Sequence, residues 1–198
     1  MGTIREKLKK EIIEIAQQCG SQGWCPLNSG NLSVITRDRD RVYIKVSGAD
    51  MSKLTYKDIL TVDMEGTVLE GTGRPSIEVN LHLGTYQVRP DVRAVVHVHP
   101  PYATAYATAG KKMPLVLEIA EIVLSDVPLL QFAPAGSIGL ARNVTSTLRD
   151  VNVKAVLLQK HGVVAVGETL EKAYYRVACV EENAKIAFLQ SLITNSRE

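Results

Sequence analysis

Apolar residues along the chain recur with two periods, and these lay out the elements. Ile4, Leu8, Ile12, Ile15 and Ala16 fall close to helical spacing, so residues 3–19 are predicted as an amphipathic helix ended by Gly20. Runs rich in β-branched residues follow at 32–36, 42–46 and 59–62, and the charged turn 37–41 makes a hairpin of the first two. A second hairpin is expected around 64–68, with Glu65-Gly66 at its tip. Pro75 is read as opening a helix that runs to about Val88, where Arg89-Pro90-Asp91 stops it. Residues 92–99 form a buried strand running into Pro100-Pro101. Helices are predicted at 101–109 and 137–149, the second capped by Ser137, and buried strands at 153–159 and 163–166. A last helix spans 169–192 with Thr169 as its N-cap. Several connections are too short for parallel crossovers. The expectation is therefore a three-layer α/β/α domain, 1–198, around a mixed, mainly antiparallel sheet, with no internal repeat or linker to divide it.

Composition narrows the class. The chain has 198 residues, 45% hydrophobic and 22% charged, with net charge +2, which is ordinary for a globular protein large enough to bury a real core. No basic stripe calls for nucleic acid, and no run reaches the roughly 18 apolar residues of a membrane span. The first twenty residues interleave charge with apolar positions and do not read as a signal peptide. Cys19, Cys25 and Cys179 form no CxxC pair, which points to reduced thiols and a cytoplasmic location.

The chemistry lies in the histidines, of which there are four. His97-Val98-His99 sits at the end of a predicted strand, where alternate side chains share a face. His161 follows a second apolar strand and precedes Gly162. Three imidazoles delivered to strand ends suit Zn²⁺, with a fourth position left for a carboxylate or substrate. Glu78 and His82, four apart near the start of one predicted helix, compete for that position, and spacing does not choose between them. Small-residue turns at Asn28-Ser29-Gly30-Asn31, Ser47-Gly48 and Pro75-Ser76 offer backbone N–H groups and hydroxyls able to hold a phosphate, with Ser76 at a helix N-terminus. Lys45, Lys53 and Arg74 are candidate counter-charges, unranked by the sequence.

NSGNLSV at 28–34, VSG at 46–48, PSIE at 75–78, AVVHVH at 94–99 and LQKHG at 158–162 occur in order, and with them the chain resembles the class II aldolase/adducin family over its whole length. That resemblance implies zinc held by His97, His99 and His161. It makes Glu78 both the resting fourth ligand and the catalytic acid/base, and places His82 at a non-ligand position. It puts phosphate on Ser29, Gly30, Asn31, Ser47, Gly48 and Ser76. It implies retro-aldol cleavage of a ketose 1-phosphate such as L-fuculose 1-phosphate, and a homotetramer. Two departures stand out. Ile77 replaces a second phosphate serine of the fuculose enzymes, and the segment 110–125 lacks their tyrosine but carries Glu118 and Glu121. The chain also runs only a few residues past its last predicted helix, without the closing tail of some relatives. Alternatives within the family are a sugar-phosphate 4-epimerase, which resembles this pattern with aspartate in place of Glu78, and a methylthioribulose-1-phosphate dehydratase, whose acid/base would come from the Glu118–Glu121 region. A non-enzymatic adducin-like interaction module would lack the metal histidines.

Overall fold

The computed structural model describes residues 4–195. Its elements in chain order are α1 (Ile4–Ser21), β1 (Asn31–Ile35), β2 (Val42–Lys45), β3 (Ile59–Val62), β4 (Val68–Glu70), α2 (Val79–Val88), β5 (Ala94–Val98) and α3 (Pro101–Thr108). Then come α4 (Glu118–Leu124), β6 (Leu129–Leu130), α5 (Ile138–Leu148), β7 (Ala155–Leu158), β8 (Gly162–Gly167) and α6 (Leu170–Asn195). Thr3, included in the expected first helix, lies outside the described residues.

The eight strands form one sheet in the order β4-β3-β2-β1-β5-β8-β7-β6, and every pairing except β6–β7 is antiparallel. Period-2 alternation splits the central strands between two cores. Ala94, Val96, Val163 and Ala165 face a core closed by α1, α3, α4 and α6, while Val95, Val156, Val164 and Val166 face one closed by α2 and α5. Both faces are covered, so the strands read as continuous apolar runs. The mixed α/β/α architecture is as expected, and among the described residues no helix is long and apolar enough to cross a membrane.

Local signals held where the chain itself closes the structure. Ser137 caps α5 by accepting the Leu140 N–H at 3.1 Å, and Thr169 accepts that of Lys172 at 3.2 Å at the start of α6. Arg89 ends α2 with its guanidinium buried, donating to the Leu148 and Val153 carbonyls. Two local readings need correction. Gly20 does not end α1 but lies inside it, because the chain packs so closely there that a Cβ would come 2.6 Å from the Ser52 backbone. Pro75 does not open α2 either: it bridges Val46 just past the end of β2, and the helix starts four residues later at Val79. Neither the seven-residue α4 nor the two-residue β6 was foreseen, being too short to carry a period.

Candidate active site

The sheet delivers three histidines to one end. His97, the fourth residue of β5, is paired in register with Asn31 of β1 and Val164 of β8. It is fully buried, and its Nδ1–H donates to the Val163 carbonyl at 2.9 Å, which turns Nε2 toward the cluster. His99 lies just beyond the strand, its backbone N–H held by the Trp24 carbonyl at 2.8 Å. His161 occupies the tight β7–β8 connection, entered through Lys160 at a φ of 59°. Gly162 is required beside it, since a Cβ there would lie 2.5 Å from the Val98 carbonyl oxygen and 2.6 Å from the His99 ring. One nitrogen from each of His97, His99 and His161 lies within 4.8 Å of the others, so the three could hold a metal ion.

Glu78 borders this cluster. As the N-cap residue of α2 it makes no side-chain capping bond, and its carboxylate turns instead to the imidazoles. Oε2 lies 3.1 Å from His97 Nε2 and accepts from Asn31 Nδ2 at 2.9 Å, while Oε1 lies 3.6 Å from His161 Nε2. Burial opposes charge on both members of the Glu78–His97 pair. Their mutual attraction and hydrogen bonds outweigh it, holding Glu78 well below the usual carboxylate range and raising His97 above the usual imidazole value. Burial and the charge on His97 lower His99 to about 3 and His161 to about 4, so both present neutral lone pairs at neutral pH.

These residues fit a divalent metal. Glu78 Oε1 and His99 Nδ1 are buried with no hydrogen-bond partner, an expensive arrangement unless something binds there. Three imidazoles and a carboxylate form a donor set suited to zinc. His82, the rival fourth donor, is excluded: it is fully buried beneath the site, with both ring nitrogens bonded to Asn31 and Ser33.

Beside the imidazoles opens a cavity of about 240 Å³, lined in part by Ser29, Gly30, Asn31, Ser47, Gly48 and Ser76, so all six residues expected on phosphate turns come together. Gly30 and Gly48 both take a φ of +78°, and Ser29 Oγ is buried without a partner. Ser76 is not at the helix N-terminus; it sits in the turn before α2, its Oγ accepting the Glu78 N–H at 3.3 Å. Among the three candidate cations, Lys45 lines the cavity and Lys53 and Arg74 do not. Its buried Nζ donates to the Ala49 carbonyl at 2.7 Å and the Asn28 carbonyl at 3.5 Å, tying two of the turns together. Sequence reasoning named Lys45 without choosing it; its place in the apolar strand β2 was the available signal. Ile77, standing where the second serine was missed, reaches the cavity wall and covers Gly136. Glu118 and Glu121 lie exposed on α4 and do not line the cavity.

A twice-covered mixed sheet that brings together, at one end, three imidazoles able to hold a metal ion defines the class of α/β/α protein. The chain belongs to the class II aldolase and adducin N-terminal domain family, whose model matches residues 10–188. It is 32% identical over 181 residues to an L-fuculose phosphate aldolase of Methanococcus maripaludis, covering 91% of this chain and 96% of that one. It is 30% identical over 194 residues to an L-ribulose-5-phosphate 4-epimerase of Salmonella paratyphi C, covering 93% and 85%. A solved L-fuculose 1-phosphate aldolase superposes with a TM-score of 0.87 at 32% identity, covering all of this chain and 90% of that one. These relatives support an enzyme of the class II aldolase kind.

Proposed function

We propose that the chain is a single-domain, cytoplasmic, zinc-dependent aldolase that cleaves a ketose 1-phosphate, L-fuculose 1-phosphate being the first candidate, into dihydroxyacetone phosphate and an aldehyde. The observation that carries this reading is a buried carboxylate set between a three-imidazole cluster and a cavity of small-residue turns. His97, His99 and His161 would hold the ion, with Glu78 as the resting fourth ligand. When bound, its contribution is Lewis acidity toward the ketose carbonyl and neighbouring hydroxyl. Ser29, Ser47 and Ser76 and the N–H groups of Gly30 and Gly48 hold the phosphate, with Lys45 supplying charge from beneath. That binding energy fixes C3 beside Glu78. On cleavage the C3–C4 electron pair stays on C3, and the C4 hydroxyl becomes the aldehyde carbonyl as its proton is released to solvent water. Glu78, having taken up a proton from solvent, gives it to C3, and in the reverse direction removes it.

As it stands beside charged His97, Glu78 is too weak a base for that task. Burial pushes its pKa up, and loss of the His97 proton removes the largest of the pulls in the other direction. Glutamate rather than aspartate at this position favours aldolase over epimerase, and the exposure of Glu118 and Glu121 weighs against the dehydratase. The same reading carries a homotetramer, consistent with large apolar side chains left in solvent, among them Leu27 at 100% and Ile138 at 70% exposure.

The test combines metal analysis with proton exchange. The purified protein should hold about one zinc per chain, lost in His161→Ala. In D₂O the zinc form should exchange a C3 proton of dihydroxyacetone phosphate without aldehyde, and the chelated form should not. Exchange that survives full metal removal, or full zinc occupancy in His161→Ala, would refute the proposal.

A further inference from the structure

From Glu78 a line of buried polar groups runs beneath the site, and beyond Asn31 the proposed chemistry does not use it. Asn31 and Ser33 are two apart on β1, so both point to the face covered by α2. Glu78, His82 and Tyr86 are four apart, on one side of α2 and its cap. Two strand residues advance about 6.6 Å and four helix residues about 6 Å, so the two series stay in step. They mesh alternately: Glu78 Oε2 to Asn31 Nδ2 at 2.9 Å, Asn31 Oδ1 to His82 Nε2 at 2.5 Å, His82 Nδ1 to Ser33 Oγ at 2.7 Å, and Ser33 Oγ to Tyr86 OH at 2.7 Å. All five residues are buried.

The direction of every bond follows from the carboxylate end. An ionised Glu78 only accepts, so Asn31 must present its NH₂ to it and its carbonyl to His82. His82 Nε2 must then carry a proton and donate. Fully buried and touching no carboxylate, His82 is neutral, its pKa pushed down to about 3. Its Nδ1 therefore bears a lone pair, which takes the Ser33 O–H, and Ser33 in turn accepts from the Tyr86 hydroxyl. Reversing any one bond would turn the Asn31 carbonyl toward the Glu78 carboxylate, two buried acceptors facing each other.

We propose that Tyr86, Ser33 and His82 are positioning residues that fix the His82 tautomer, and through it the Asn31 amide, so that Glu78 is held by one oxygen while the other stays free for the metal and for proton transfer. The inference rests on the reading of Glu78 as ligand and acid/base, but its first readout does not. Only four histidines are present, and zinc addition should perturb His97, His99 and His161, leaving His82 identifiable in ¹H–¹⁵N spectra of histidine-labelled protein. His82 should show a protonated Nε2 and a bare Nδ1, with or without zinc. Ser33→Ala should mix the two tautomers. In the exchange assay Ser33→Ala and His82→Leu should each lower the rate and the zinc affinity about 10- to 100-fold, with KM for dihydroxyacetone phosphate little changed. His82→Gln, whose amide can donate in place of Nε2–H, should recover most of both, a rescue that a simple loss of packing would not give.

Wild-type His82 protonated at Nδ1 would overturn the proposal. So would a folded Ser33→Ala with wild-type zinc affinity and exchange, or a His82→Gln no better than His82→Leu. Should wild type exchange nothing, the aldolase reading fails, while the tautomer and zinc affinity still decide this one. Should His82→Leu not fold, Ser33→Ala and the tautomer decide it.

Discussion

Glu78→Gln separates chemistry from architecture. The carboxylate is 3.1 Å from His97 Nε2, and at an effective dielectric of about 20 two unit charges at that distance attract by about 5 kcal/mol before desolvation is counted. Removing one partner of a buried ion pair ordinarily costs about 3–5 kcal/mol, because the other charge is stranded. Here the penalty is avoided, since His97 can shed its proton at neutral pH. The glutamine can also keep its carbonyl toward Asn31 and turn its NH₂ to the place of Oε1, beside His161. The variant should therefore fold and bind zinc through the three imidazoles. Its loss falls on proton transfer. Positioned acid/base groups contribute about 10²–10⁴-fold, or about 3–5 kcal/mol of barrier. The assay is deuterium incorporation into dihydroxyacetone phosphate, followed by NMR at matched zinc occupancy, with Glu118→Gln beside it. Exposed and off the cavity, Glu118 should matter less than a few-fold. Wild-type exchange in Glu78→Gln with a dead Glu118→Gln would move the acid/base to α4 and rank the dehydratase above the aldolase.

Ser29→Ala and Ser76→Ala should raise KM for a phosphorylated ketose more than they lower kcat, whereas Asn31→Ala should depress both, because its amide also holds Glu78; equal rates with a non-phosphorylated ketose would rule out the phosphate reading. Gly162→Ala should lower Tm and zinc affinity together, since its methyl would displace the His99 ring, at an overpacking cost of about 1–3 kcal/mol; unchanged zinc affinity would place His99 outside the metal site. For the metal-free protein, His97 is raised above the usual value of about 6.5, so its share of the stability is complete below that pH and is lost as pH climbs through the folded value. His99 and His161, lowered by burial, favour the fold increasingly up to about pH 6.5 and add nothing more above it. Metal-free Tm should thus fall above neutral pH while zinc affinity rises, because the ion must displace the His97 proton. A metal-free Tm that rose with pH across this range would contradict the assignment.

The imidazole cluster was legible because each histidine ends an apolar run, and the position of a residue on a strand dictates its face. The competition between Glu78 and His82 was not, although their spacing was read correctly. Spacing puts both side chains on one side, as the structure does, but α2 begins only at Val79: Glu78, in the cap before it, reaches both Asn31 and the imidazole cluster, while His82, one turn on, is spent on Asn31 and Ser33 of β1. What moves the helix start is the Val46–Pro75 bridge, a contact 29 residues away along the chain, and Pro75-Ser76 reads locally as a good helix opening. Gly20 misled for a related reason: a glycine demanded by the backbone of Ser52 looks, in sequence, like one demanded by a helix end.

The hydrogen-bond chain marks the limit of sequence reading more sharply. Its two halves are each visible, Asn31 and Ser33 at the strand period and Glu78, His82 and Tyr86 near the helix period. Polar residues at those periods ordinarily mean a solvated face, and on that rule this side of β1 would be wet. It is dry because the two polar stripes cover each other, each supplying what the other lacks. A buried polar stripe survives only if every group finds its partner, so the pairing requires both register and tautomer to be right. Such a constraint links residues 47 to 53 positions apart and leaves no trace in either segment alone. It also explains why a histidine that touches neither metal nor cavity should matter. One end of this chain is a tyrosine sealed in the core and the other is the carboxylate proposed to move the proton, so the orientation of the Glu78 oxygens is set from inside the fold rather than by the substrate.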